Sequence, residues 1–122
     1  MIPGRNYFIR EGTFNADGIS LDQILKRHTT PFYLYSRRAL REEFEAARKA
    51  FPDFDILYSF KANPNLTVCK TLRECGAGAD VSSKGELRRA LEVGFSPEMI
   101  FFVGPGKTEE EIALAVANQI YA

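Results

Sequence analysis

The stretch Gly76-Ala77-Gly78-Ala79-Asp80-Val81-Ser82-Ser83-Lys84-Gly85-Glu86-Leu87-Arg88-Arg89-Ala90-Leu91-Glu92-Val93-Gly94 decides the fold. Between its outer glycines it holds one strand signal followed by one helix signal. Residues 78–82 alternate, with Ala79 and Val81 on one side and Gly78, Asp80 and Ser82 on the other. Ser83-x-x-Glu86 is a capping box that opens a helix over 84–93, and Gly94 stops it. Working outward, the same pair recurs. Residues 56–61 read as a strand, and 66–75 as a helix entered through Asn63-Pro64 and stopped at Gly76. On the other side, 99–103 read as a strand and 109–118 as a helix opened by the box Thr108-x-x-Glu111. Ile120-Tyr121-Ala122 begins a fourth strand. The strands start at 56, 78, 99 and 120, so the spacings are 22, 21 and 21. A βα unit of constant length predicts parallel strands joined by crossover helices. The expected fold class is α/β, with residues 36–122 forming about the first half of a (β/α)8 TIM-type barrel and the rest lying beyond residue 122. A complete small open sheet is the alternative.

Before the repeat, residues 1–35 read as a preamble. Tyr7-Phe8-Ile9 and Gly18-Ile19-Ser20 flank a polar stretch and suggest short strands or a hairpin. Ser20-x-x-Gln23 is a capping box for a short helix. Thr30-Pro31 breaks any helix, and the aromatic, apolar Phe32-Tyr33-Leu34-Tyr35 predicts a strand. Leu40, Phe44, Ala47 and Phe51 then fall on one helical face, and Pro52 ends that helix.

Composition narrows the function classes. Sixteen basic and sixteen acidic residues cancel, which leaves no electrostatic footprint for nucleic acid or an anionic membrane. No apolar run approaches a membrane span, and the first residues lack the apolar core of a secretory signal. Cys69 and Cys75, six apart, fit neither CxxC nor a zinc site, and with His28 as the one histidine no metal centre is expected. A cytoplasmic location is the default expectation.

Lys61 sits where chemistry is expected. In its strand Ile56, Tyr58 and Phe60 point one way and Leu57, Ser59 and Lys61 the other. In a barrel the second set faces the interior, and the C-terminal strand end is where active sites are built. A lysine aimed inward among apolar neighbours is costly unless functional or paired, and such surroundings suit a Schiff-base lysine. A lysine whose amine escapes to solvent at a strand end fits the same pattern. Asp80 shares the inward register on the next strand, where it could pair with the lysine or simply form a turn. Glu86 is explained by capping, although the helix start it closes could also meet an anion. Gly104-Pro105-Gly106-Lys107-Thr108 looks like the end of a phosphate loop, but the glycine required five positions before Gly106 is Phe101. His28 reads as a plain surface histidine.

Together these residues resemble a known family. Tyr58-Ser59-Phe60-Lys61-Ala62-Asn63 is similar to the Y-x-x-K-A-N signature of fold type III, alanine-racemase-like, pyridoxal-phosphate enzymes. Residues 76–87 resemble the G-x-G-x-D-V-x-S-x-G-E-L block, Gly104 to Thr108 the G-x-x-K-T/S turn, and Thr30 to Tyr35 the T-P-x-Y-V-Y lead-in. The resemblance is to the ornithine/diaminopimelate/arginine decarboxylases and runs from about Tyr7 to the end. Racemases of this fold continue K-A-N-A-Y-G, whereas Pro64-Asn65-Leu66 follows here.

The resemblance implies a pyridoxal 5'-phosphate-dependent amino-acid decarboxylase of the diaminopimelate or ornithine type. Lys61 would form the internal aldimine, with Asp80 and Glu86 beside the lysine and cofactor. It implies a homodimer, a small-molecule amino acid as substrate, and a C-terminal β domain against which residues 1–35 would pack. The family's ring-stacking histidine, glycine-rich phosphate loop, acid on the pyridine nitrogen and partner-subunit cysteine all lie beyond residue 122. The chain is therefore expected to be incomplete and inactive alone. A decarboxylase acting on a carrier-protein-tethered amino acid, and a non-catalytic pyridoxal-phosphate-binding relative, remain alternatives.

Overall fold

The computed structural model describes residues 6–121, which divide into one unit ending at Glu42 and a second beginning at Glu43. The first unit opens with an antiparallel meander of β1 (Tyr7–Arg10), β2 (Thr13–Ala16) and β3 (Ile19–Ser20). Tyr7 pairs with Ala16, Ile9 with Phe14 and Asn15 with Ser20. Both hairpins are two-residue turns, Glu11-Gly12 and Asp17-Gly18, and all four residues take positive φ. The right-handed strand twist demands that conformation of such tight turns. The stretch expected to be a polar connection therefore contains β2. The Asp-Gly pair was the available signal for it.

Ser20 and Gln23 close the predicted box at the start of α1 (Leu21–Leu25). The expected strand over 32–35 does not form. The segment leads into α2 (Arg37–Ala50) without a paired strand, held by side chains instead. The Tyr7 hydroxyl donates to the Leu34 carbonyl at 3.4 Å and accepts from the Ser36 N–H at 2.8 Å. Ser36 Oγ accepts from the Ala39 N–H at 2.9 Å and donates to the Asp17 carboxylate at 2.7 Å, so the serine caps α2. Aromatic composition favoured a strand, but a strand also needs a ladder partner, and here the backbone groups are met by Tyr7.

The second unit carries the repeat. Its parallel sheet has β4 (Leu57–Ser59), β5 (Gly78–Val81) and β6 (Ile100–Phe102) in that order, and Tyr121 adds a parallel bridge to Phe101. Strand α-crossovers are α3 (Leu66–Glu74) and α4 (Lys84–Val93), with α5 (Glu109–Ala117) after β6. Ser59 stands opposite Asp80, and Asp80 opposite Phe101. Phe60, Ala79, Val81, Ile100 and Phe102 share one face and are almost wholly buried against Cys69, Leu87, Ala90 and Ala115 of the helices. The predicted alternation is thus observed, with the bulky set facing the helices. On the opposite face Phe101 and Val103 remain partly open to solvent.

Two local features fix this layer. A Cβ on Gly78 would lie 2.4 Å from Leu57 Cδ2 and 2.7 Å from the Met99 carbonyl oxygen, so only glycine fits at the start of β5. α4 ends on Gly94, left-handed at φ 86°, and the Phe95 N–H returns to the Ala90 carbonyl.

Glu111 ties two helix starts together. Its Oε2 accepts from the Thr108 N–H (2.9 Å) and hydroxyl (3.0 Å), completing the predicted box, while Oε1 accepts from the Lys84 N–H (3.0 Å). Lys84 Nζ also pairs with Glu110. The Thr108 N–H, the Lys84 N–H and the Thr108 hydroxyl hold the Glu111 carboxyl below its ordinary value of 4.5. A carboxyl depressed in the fold contributes stability that is present above the unfolded value and lost as pH falls through the lower folded one. Glu111→Gln is therefore expected to lower the melting temperature at neutral pH, with the difference from wild type shrinking as pH falls below the ordinary carboxyl value of 4.5. A difference independent of pH would contradict this account of Glu111.

Candidate active site

The C-terminal edge of the parallel sheet collects the residues singled out from sequence. Lys61 stands two residues beyond β4. Its predecessor Phe60 is fully buried, 5.7 Å from the Phe95 ring centroid, and the Phe60 N–H donates to the Asp80 carbonyl at 3.0 Å. The Ala62 N–H then bonds the Ser59 carbonyl at 3.1 Å, closing a tight turn around Lys61. The lysine is exposed and makes no hydrogen bond or ion pair among the described residues. The enclosure expected of Lys61 is that of a complete barrel, which these residues do not form.

Asp80 lies on β5 in register with Ser59. Its Oδ1 is buried and has no hydrogen-bond partner among the described residues. An unmet buried acceptor costs about 1–3 kcal/mol, and more when charged, so the position is built to receive a donor. No bond joins Asp80 to Lys61.

Glu86 is engaged. Its Oε2 accepts from the Ser82 N–H (2.7 Å) and hydroxyl (3.0 Å), while the Glu86 N–H donates to Ser83 Oγ at 3.3 Å. The predicted box is thus altered: Ser83 caps α4, but the return bond reaches Ser82, one residue further out. Glu86 thereby secures the turn directly after Asp80 and Val81.

The loop after Lys61 is held by groups to which the sequence pattern assigned no site role. The Tyr58 hydroxyl donates to the Asn63 carbonyl at 3.1 Å, and Arg89 Nη1 to the Pro64 carbonyl at 2.9 Å. Cys69 Sγ lies 3.6 Å from the Asn63 carbonyl, and burial pushes this thiol's pKa up, keeping it a proton donor. Asn65, not Asn63, caps α3, accepting from the Thr67 N–H at 2.9 Å. Alternation placed Tyr58 with Ile56 and Phe60 on the helix-facing side, and nothing in the pattern singled out Arg89. Neither a hydroxyl reaching five residues ahead nor a guanidinium reaching a carbonyl 25 residues away leaves a trace in local pattern.

A separate cleft of about 670 Å³ lies in the first unit, lined by Ile24, Lys26, Arg27, His28 and Tyr35 among others. It contains none of Lys61, Asp80 and Glu86. Its one carboxylate, Asp17, already accepts from Ser36 Oγ through both oxygens.

An unpartnered primary amine and an unmet buried carboxylate oxygen on adjoining strand ends fit a group that takes the amine covalently. The family pattern described as pyridoxal-dependent decarboxylase, pyridoxal binding domain, matches residues 37–122. The chain belongs to that family. The part it spans is the pyridoxal-binding domain, so pyridoxal phosphate is the cofactor of the fold that holds Lys61. The chain is 47% identical over 111 residues to diaminopimelate decarboxylase of Aquifex aeolicus, an overlap of 91% of this chain and 26% of that protein. It is 39% identical over 108 residues to an L-glutamyl acyl-carrier-protein decarboxylase of Niallia circulans, covering 88% of this chain and 25% of that one. The crystal structure of diaminopimelate decarboxylase from M. jannaschii in complex with L-lysine superposes with a TM-score of 0.93 at 30% identity, over 98% of this chain and 30% of that chain. This family member thus spans about a quarter of the length of the curated relatives it matches. Among the described residues, no helix is long and apolar enough to cross a membrane.

Proposed function

We propose that this chain carries the cofactor-anchoring segment of a pyridoxal-phosphate-dependent amino-acid decarboxylase of the diaminopimelate or ornithine type, with Lys61 as the covalent anchor. The observation that carries the reading is the exposed, unpaired Lys61 amine at the sheet's C-terminal edge, next to the strand bearing the unmet Oδ1 of Asp80. The Lys61 Nζ supplies a primary amine able to condense with an aldehyde, releasing water, and to be displaced by the amine of a substrate. Asp80 Oδ1 accepts a hydrogen bond or proton at that edge. Glu86 holds Ser82 and the start of α4 beneath it. Bound pyridoxal phosphate supplies the electron sink for the bond to the departing carboxyl group.

In this reading the second unit is about the first half of a (β/α)8 barrel, and residues 1–35 belong with a C-terminal β domain. The full-length protein is a homodimer, and the 122 residues alone lack decarboxylase activity. Diaminopimelate is the favoured substrate because a diaminopimelate decarboxylase shares 47% identity with the chain. A second reading, decarboxylation of a carrier-tethered amino acid, is favoured by the 39% identity to the glutamyl carrier-protein enzyme. Release of CO2 by the full-length protein from diaminopimelate, ornithine and carrier-bound glutamate separates the two. Diaminopimelate is expected to give a kcat/KM at least about tenfold above the others. Turnover of the carrier-bound substrate alone would select the second reading, and no turnover of any amino acid would remove both.

A further inference from the structure

The chain around Lys61 is gripped at two places, and the two grips differ in kind. Next to it, the sheet and core hold the backbone: Phe60 before it is buried and bonded to Asp80, and Ala62 after it is turned back onto Ser59. Further along the loop, the carbonyls of Asn63 and Pro64 lie outside any ladder or helix and accept from side chains, Tyr58 Oη and Arg89 Nη1. Tyr58 belongs to the same strand as the loop. Arg89 comes from the next βα unit, on α4, three residues after Glu86.

Arg89 is exposed and has no carboxylate partner among the described residues. Its guanidinium is directed instead to the loop carbonyl three residues after Lys61, at 2.9 Å. A lysine amine rides on a flexible four-carbon stem, so its reach is defined only if its own backbone is fixed. Productive geometry tolerates errors of well under an ångström in such supports.

We propose that Arg89 is a positioning residue for Lys61, tying the loop after β4 to the helix after β5 and so setting where the lysine backbone stands relative to Asp80 and the start of α4. The proposal rests on the reading of Lys61 as cofactor anchor. Trapping of pyridoxal phosphate by borohydride in the full-length protein, with the labelled peptide identified, tests it. Arg89→Ala is expected to label Lys61 about tenfold more slowly than wild type. Millimolar methylguanidinium should restore most of the rate, which a purely structural role of the side chain would not allow. In the cofactor-free protein the Asn63 and Asn65 amides should exchange faster in Arg89→Ala, while those within α4 stay protected. A wild-type labelling rate in Arg89→Ala, or a slow rate that methylguanidinium leaves unchanged, would overturn the assignment of Arg89 alone. Absence of label on Lys61 in the wild-type protein would remove the reading of the lysine and this one with it.

Discussion

Lys61→Ala is expected to lower decarboxylation by the full-length protein by roughly 10³-fold or more, with little change in stability. The size follows from the absence of a stand-in amine. Of the six lysines in the chain, Lys84 is paired with Glu110, and Lys107 donates to the Gly104 carbonyl at 2.7 Å and stands 5.0 Å over the Phe102 ring. Lys49 and Lys70 lie on helices α2 and α3, and Lys26 follows α1 in the first unit. None is at the end of β4. Stability is spared because Lys61 makes no hydrogen bond or ion pair among the described residues, so its truncation leaves no partner there unmet. The check is CO2 release alongside a thermal melt. Activity within about tenfold of wild type would remove Lys61 from the chemistry, whereas a collapsed melt would mean that the side chain supports the fold.

Phe60→Ala is expected to have the largest effect on folding, about 3–5 kcal/mol. The ring is fully buried, with its centroid 6.1 Å from that of Tyr58 and 5.7 Å from that of Phe95. Its removal leaves a cavity between the sheet and the helices that cover it, and the small side chain of Ala79 on the same face cannot fill the space. A loss on that scale lowers the unfolding midpoint by on the order of 10 °C. Because Phe60 directly precedes Lys61, pyridoxal phosphate capture by the lysine should weaken in parallel. Chemical denaturation of both proteins gives the comparison, and a loss below about 1 kcal/mol would mean that the core is not organised around this sheet face.

The two substitutions, one residue apart, separate what sequence discloses from what it hides. Alternation along 56–61 and 78–82 made the two faces of the sheet legible, because burial on one face forces a period of two. The capping boxes at Ser20 and Thr108 and the stop at Gly94 were legible because each is closed within a few residues. The failures involve longer reach or competing partners. Phe32 to Tyr35 carry strand propensity, but a hydroxyl 27 residues earlier takes the place of a strand partner. Strand β2 was obscured by polar residues whose amides pair with both neighbours. At the site, the positions of Lys61 and Asp80 on one sheet edge followed from register. The exposure of Lys61, the unmet oxygen of Asp80 and the grip of Tyr58 and Arg89 on the loop depend on contacts across the fold, which no window of sequence contains.

The pH behaviour of Glu111 and the proposed role of Arg89 share one physical theme. Both side chains use charge to hold the connections at the C-terminal edge of the sheet, α4 to α5 in one case and the Lys61 loop to α4 in the other. That edge is where strands end and backbone partners run out, so side chains must supply them.

Whether Lys61 is the cofactor anchor is decided by where pyridoxal phosphate attaches. The full-length protein is loaded with pyridoxal phosphate, reduced with borohydride, digested and mapped for the phosphopyridoxyl group. A single labelled site at Lys61, lost in Lys61→Ala, is expected. Label on another lysine, or label that persists in Lys61→Ala, would contradict it.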